Sequence, residues 1–353
     1  MDKKAVTSRD DTEVLWINTS FSSIAFVIKE LKEKMPYLKI IGTGRDYNCT
    51  YAGFVDAYYL EPYNISADDY VKWAIGFCIE HKVTVFMPKS YCLSIIGNIE
   101  KFINIGVRVI ANKRIVHRLC RDKGKTYEAL KNEGYENIPL YRVINNINEF
   151  EDYYLELTNS GHEVCIKYNS DEGGSSFRKI DNGFLKYDSL NKPLENILTY
   201  DNMLAILVDM EKHGKFVPLM MMEVLSGPEI SVDCYNSPNR GFIAIPRTKH
   251  SDRIQEITLD ERVIEDAKKI LDILCFNSAF NVQYRWNKKG ELRLLEINTR
   301  MSGGVHMSSL SGVSIPYQLV ADKIGLNINQ GSINECTITQ YESPLIINSK
   351  AVT

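Results

Sequence analysis

Asn281-Val-Gln-Tyr-Arg-Trp-Asn-Lys-Lys-Gly-Glu-Leu-Arg-Leu-Leu-Glu-Ile-Asn-Thr-Arg300 is the stretch on which the fold turns. Residues 279–286 alternate as a strand does, Asn287-Lys-Lys-Gly290 is turn chemistry, and Glu291–Arg300 reads as the returning strand. Side chains of a strand alternate faces, so Glu296, Asn298 and Arg300 share one face and Leu295, Ile297 and Thr299 the other. Pairing of Trp286 with Glu291 across a four-residue loop adds Gln283 to the Glu296 face; a three-residue loop breaks that parity. The face then offers two amide oxygens, a carboxylate and a guanidinium. Mg²⁺ takes hard oxygen ligands and keeps several waters and phosphate oxygens. Gln283, Glu296 and Asn298 therefore suit one or two such ions held against a polyphosphate, with Arg300 forked onto the same phosphate. The plain alternative is an amphipathic hairpin with a solvated polar face, which a lone Glu-x-Asn-x-Arg would favour. Met301-Ser-Gly-Gly304 follows, and suits a tight turn and close approach of backbone to a ligand.

Leu294-Leu-Glu-Ile-Asn-Thr-Arg-Met-Ser-Gly-Gly304 resembles the signature of the ATP-grasp superfamily, nearest to the branch typified by the carbamoyl-phosphate synthase large chain and its single-module relatives. The resemblance spans about residues 113–325. It implies an α/β chain in which a Rossmann-like domain precedes two α+β subdomains that sandwich ATP. The expected divisions are 1–112, 113–225 and 226–353.

The rest of the chain is read outward from there. At 353 residues it can hold two or three packed subdomains, and 44% hydrophobic with 25% charged residues is ordinary for a globular protein. A net charge of -3 gives no basic footprint, so nucleic acid is not an expected partner. No apolar run approaches the ~20 residues of a membrane span. The first residues carry no apolar signal core, and the eight cysteines are scattered without a Cys-x-x-Cys pair. No membrane contact, no zinc site and a reducing cytoplasm are expected. Residues 12–112 alternate apolar strands (14–17, 38–42, 58–60, 83–87, 107–111) with helices (21–34 capped by Ser20, 68–80, 93–104), the pattern of a small doubly wound parallel sheet. No Gly-x-Gly-x-x-Gly follows the first strand, which argues against a plain NAD-binding protein; Gly42-Thr-Gly44 is read as a structural turn.

The remaining motifs are weak singly and follow the order of the resembled family. Asp122-Lys123 matches a dipeptide whose lysine reaches nucleotide phosphates, with Lys125 as fallback; on composition alone the pair is a solvated one. Lys167 ends a strand at 163–167 and matches the second nucleotide lysine. Gly173, Gly174, Ser175 and Ser176 then offer backbone and hydroxyl donors for phosphate, either as the family's mobile lid or as a hairpin turn. The apolar strand 216–225 ends in Glu223, Val224 and Leu225, which match the adenine edge; its methionines are core filler on composition. Glu229 matches the ribose-binding glutamate. Arg247 and Lys249 are either a solvated strand end or cations facing phosphate or an acidic acceptor, and His306 is read as structural.

By resemblance, the activity is an ATP-dependent ligase. Lys167 and Arg300 serve the transferred phosphoryl group, with Mg²⁺ or Mn²⁺ as the ion. The partners are ATP, an unidentified carboxylate and an amine acceptor, and a homodimer is compatible. The alternatives are a carboxylate or carbamate kinase without ligation, and a non-catalytic ATP-binding module. A single module argues against full carbamoyl-phosphate synthesis.

Overall fold

The computed structural model describes residues 13–170, 176–183, 196–251, 253–341 and 343–345. By compactness it divides into two units, Met1–His117 with Ser231–Asn281 and Asn298–Thr353, and Arg118–Ile230 with Val282–Ile297. Among the described residues no helix is long and apolar enough to cross a membrane.

The first unit opens with β1 (Val14–Asn18), α1 (Ile24–Lys34), β2 (Lys39–Gly44), β3 (Ala57–Leu60), α2 (Ala67–Glu80) and β4 (Val85–Met87). Two short helices, α3 (Cys92–Gly97) and α4 (Ile99–Ile103), then β5 (Arg108–Val109) and α5 (Arg114–Cys120), complete the region. The five strands pair in parallel in the order β3-β2-β1-β4-β5. Every residue of β1 is buried, as expected for a parallel sheet covered on both faces. Leu15 and Ile17 pack with Val27, Ile28 and Leu31 of α1, while Val14 and Trp16 pack with Tyr70, Ala74 and Phe77 of α2. Trp16 stacks on Phe86 at 3.9 Å between ring centroids.

Two local expectations change. The first helix starts at Ile24, with Ser23 in the cap position and no side-chain cap bond, rather than after Ser20. The helix expected over 93–104 is two helices that meet at Asn98, whose backbone (φ -118°, ψ 23°) departs from the helical path.

The second unit holds α6 (Lys123–Asn132), β6 (Tyr141–Ile144), α7 (Ile147–Asn159), β7 (Val164–Tyr168), β8 (Arg178–Ile180), β9 (Ile197–Leu198), α8 (Tyr200–Lys212) and β10 (Leu219–Glu223). Its sheet runs β6-β10-β7-β8-β9. One face, with Ile144, Ile166, Leu219 and Met221, packs on Phe150, Tyr153 and Leu157 of α7 and Met203 and Leu207 of α8. The register sets Met220 opposite Lys167 and Met222 opposite Cys165, so these four project from the other face.

A six-stranded sheet follows, in the order β15-β14-β11-β12-β13-β16. Its strands are β11 (Glu229–Ser237), β12 (Gly241–Lys249), β13 (Ile254–Ile257), β14 (Ala279–Trp286), β15 (Leu292–Asn298) and β16 (Cys336–Thr339). The last stands at the edge of the sheet and pairs antiparallel with β13. The helix Glu261–Leu274 is capped by Asp260, whose carboxylate accepts from the Arg262 amide.

Candidate active site

In the second unit the two expected lysines stand on elements that are stitched together. Asp122 caps α6 by accepting from the Lys125 amide at 2.9 Å. Asn169, just beyond β7, accepts from the Gly124 amide at 2.9 Å and donates to Asp122 at 2.8 Å, while its carbonyl accepts from the Lys123 amide at 3.1 Å. The start of α6 and the end of β7 are thus one hydrogen-bonded corner. Gly124 makes that corner possible: a Cβ there would meet Val143 Cγ2 at 2.5 Å. Lys123 and Lys167 are 4% and 5% exposed, whereas the Lys125 side chain is 72% exposed beside Asp122. Lys123 is therefore the inward lysine and Lys125 the solvated one. Lys167 lies inside β7 rather than at its end.

The hairpin of β14 and β15 decides where Glu296 points. Asn287 N–H donates to the Glu291 carbonyl at 2.9 Å, and Gly290, at φ +72°, closes the turn onto Asn287. The loop is therefore the three-residue kind, which in a regular ladder would put Gln283 opposite Leu295. A second irregularity offsets this. Tyr127 Oη donates to the carbonyls of both Leu294 (3.1 Å) and Leu295 (2.9 Å). Successive carbonyls of a flat strand point to opposite edges, so two that converge on one hydroxyl mark a bulge. The extra residue moves Glu296 opposite Gln283. Exposure follows that pairing: Val282 and Ile297 are buried, and Gln283, Glu296 and Asn298 are half-buried. The strand ends at Asn298, so its alternation does not extend to Arg300.

The remaining candidates fall as follows. Lys167 Nζ lies 3.4 Å from the Leu295 carbonyl, immediately before Glu296. Glu223 is buried, its carboxylate accepting from the Leu140 amide at 3.0 Å. The amides of Glu223 and Val224 donate to the carbonyls of Leu140 and Glu163. Leu225 is buried, and Glu229 lies 3.6 Å from Arg285. Ser176 Oγ accepts from the Tyr168 amide at 2.8 Å; Gly173, Gly174 and Ser175 lie outside the described residues.

In the first unit Arg300 places its guanidinium 4.8 Å from the ring centroid of Phe21. Arg247 is neither a solvated strand end nor turned outward. It is 1% exposed, pairs with Asp233 at 3.0 Å, and donates to Ser302, Ser308 and Gln255. Gly304 serves this network: a Cβ there would meet Arg247 Nη1 at 2.7 Å, so the close approach is to a side chain of the protein itself. His306 stacks on Phe26 at 4.5 Å, and burial pushes its pKa down. His117 Nδ1 lies 2.6 Å from Thr299 Oγ1, and burial pushes that imidazole to about 4. Asn169, Tyr127 and His117 were not found from the sequence. Asn169 stands two residues after Lys167, and only its cap geometry distinguishes it from any polar loop residue.

Residues 215–342 match the family model described as ATP-grasp in the biosynthetic pathway with Ter operon. The same architecture recurs among solved structures. N5-carboxyaminoimidazole synthetase from Staphylococcus aureus complexed with ADP aligns with TM-score 0.66 at 13% identity, over 90% of this chain and 79% of that one. The chain has the ATP-grasp fold. Biotin carboxylase from Campylobacter jejuni, as a βγ-ATP complex, aligns with TM-score 0.64 at 17% identity, over 90% and 72% of the two chains. L-amino acid ligase from Bacillus licheniformis aligns with TM-score 0.62 at 12% identity, over 88% and 74%. No curated protein matches the sequence. The ATP-grasp resemblance read from Leu294–Gly304 holds, and so does the mixed α/β fold class.

Proposed function

We propose that this chain is an ATP-dependent ligase that joins a carboxylate to an amine and releases ADP and phosphate. One observation carries the reading: the buried cation Lys167 lies 3.4 Å from the backbone carbonyl directly before Glu296. It brings a phosphate-binding charge to the strand that carries Glu296, a carboxylate suited to a metal, and a polyphosphate needs both kinds of group. ADP- and ATP-bound relatives of the same fold support it.

The donor set fits Mg²⁺. Gln283 and Asn298 supply amide oxygens and Glu296 a carboxylate, with no thiol or imidazole among them. Mn²⁺ accepts the same set. When bound, such an ion offsets negative charge on the phosphates.

The protein's own groups then divide the work. Lys123 and Lys167 hold phosphate oxygens in a dry setting where charge is little screened. With the amides of Glu223 and Val224 engaged, adenine is read by the carbonyls of residues 223–225 and the Leu225 amide. Glu229 accepts from ribose hydroxyls. Gly173, Gly174, Ser175 and Ser176 cover the phosphates, and Arg300 forks onto the transferred group. A carboxylate oxygen attacks the γ-phosphorus and the bond to the bridging oxygen breaks, releasing ADP. The amine then attacks the acyl carbon, phosphate leaves, and the amine nitrogen loses a proton. Positioning and charge neutralisation supply the catalysis.

The test is ADP release with pooled carboxylic acids and amines, with the product identified by mass. Amide formation with stoichiometric ADP is the expected result. An acylphosphate or its hydrolysis product without amide would make the chain a kinase.

A further inference from the structure

In the second unit, the linker that leaves β10 is fastened to β14. The Gly227 amide donates to the Trp286 carbonyl at 2.9 Å, and Arg285 Nη1 donates to the Gly227 carbonyl at 3.3 Å. The approach is close: a Cβ at Gly227 would meet Trp286 Cβ at 2.7 Å and its carbonyl oxygen at 2.9 Å. Two residues on, Glu229 opens β11, and its carboxylate lies 3.6 Å from Arg285 Nη2. One guanidinium therefore meets both the linker and the carboxylate that follows it.

Arg285 stands on the face of β14 that carries Gln283. The two are spaced by two residues and both are half-buried, whereas Val282 and Tyr284 on the opposite face are fully buried. The charge of Arg285 also reaches Cys165 on β7. Burial pushes that thiol up to about 12, and Lys167 and Arg285 both act against the rise. Arg285 thus sits among the groups already assigned to the nucleotide, although the sequence gave no reason to single it out.

We propose that Arg285 makes the nucleotide site select a ribonucleotide, by holding Glu229 where its carboxylate accepts from the 2′ and 3′ hydroxyls. The proposal rests on the reading of Glu229 as the ribose acceptor. A glutamate side chain that is ordered only on binding loses rotamer freedom at that moment, which weakens the contact. The guanidinium orders it beforehand. Its planar fork fixes direction as well as distance, because one arm rests on the Gly227 carbonyl while the other faces the carboxylate. A carboxylate has about four lone-pair positions, so a guanidinium beside Oε2 does not exhaust it. Arg285 acts through Glu229 and is a positioning residue.

Calorimetric titration of the intact protein with Mg²⁺-ATP and with Mg²⁺-2′,3′-dideoxy-ATP tests this. The wild type is expected to favour ATP by about tenfold or more, the scale of hydrogen bonds to a charged group. Arg285→Met should shrink that preference by about threefold or more, the scale of one side chain left to be immobilised on binding. Loss of the positive charge alone would weaken both nucleotides alike, since they share the triphosphate, so the ratio isolates the ribose. Arg285→Lys keeps the charge without the fork and should fall between the two. In a Glu229→Ala background, Arg285→Met should alter the ratio no further. Melting is the control, and Arg285→Gln replaces the methionine variant if that one does not fold. An unchanged preference in the folded variant would overturn the proposal and leave Glu229 as the ribose acceptor. Equal affinity of the wild type for the two nucleotides would overturn the proposal and the ribose role of Glu229 together, with ATP binding left standing. Binding of neither by a folded wild type would overturn the ATP reading itself, and the proposal with it.

Discussion

Tyr127 Oη shares its one proton between the carbonyls of Leu294 (3.1 Å) and Leu295 (2.9 Å), and this relationship turns Glu296 toward Gln283. Tyr127 is 1% exposed. Its Tyr127→Phe variant keeps the ring, leaves the Leu294 carbonyl without this donor and leaves the Leu295 carbonyl with the longer contact from Lys167 Nζ at 3.4 Å. The expected cost is about 1–3 kcal/mol of stability, because an orphaned buried acceptor carries its full desolvation penalty. Relaxation of the bulge would also raise the Mg²⁺ concentration needed for ADP formation. Chemical unfolding and a Mg²⁺ titration check the two parts. A stability loss with an unchanged Mg²⁺ requirement would detach the bulge from the metal site.

Glu296→Gln preserves size and hydrogen bonding and removes the charge. A half-buried carboxylate with no metal role would change stability and activity little, within about 0.5 kcal/mol. If it holds the ion against the phosphates, turnover falls by orders of magnitude and the melting temperature stays. ADP formation and its Mg²⁺ dependence, with melting as control, decide between these outcomes.

Gly124→Ala places a methyl where Val143 Cγ2 would be 2.5 Å away. Overpacking of this kind costs about 1–3 kcal/mol. The start of α6 must shift, and Lys123 with it, so ATP affinity is expected to fall as well. Val143→Ala removes the opposing methyls, and the double variant should recover both quantities. Failure of that rescue would show that the glycine is needed for another reason.

His117 makes stability depend on pH in a definite window. Burial lowers its pKa to about 4 from 6.5, so between these values the unfolded chain binds the proton that the folded chain refuses. Stability from this group is fully present above about pH 6.5 and is lost progressively as the pH falls toward about 4, by on the order of 3 kcal/mol. His117→Gln removes the titration. Unfolding of the two proteins across pH 7.5 to 4.5 should show a shallower decline for the variant, and parallel declines would contradict the assignment.

Arg247→Leu tests the reading of this cation as a structural partner of Asp233. Removing one member of a buried ion pair strands the other, at about 3–5 kcal/mol. Adding Asp233→Asn should restore part of that loss. A variant that keeps its stability but loses activity would return Arg247 to a substrate role.

The sequence by itself determined the elements and their order. Alternating apolar strands and helices over 14–109, the hairpin at Asn287–Gly290 and the motif Leu294–Gly304 are local patterns, set by turn chemistry and side-chain periodicity. They sufficed for the ATP-grasp fold and for Lys123, Lys167 and Glu296 as candidates. Tertiary structure decided which way those side chains face. The parity of Gln283 and Glu296 depends on a loop length and a bulge, and the bulge is specified by Tyr127, 167 residues away from Leu294 in the chain. Arg247 read as a strand-end cation because its partner Asp233 comes from a neighbouring strand. Gly304 read as a ligand-facing glycine because the guanidinium that needs its missing side chain is likewise distant in sequence. Periodicity registers burial along one element; it carries no information about which group from another element fills the space opposite.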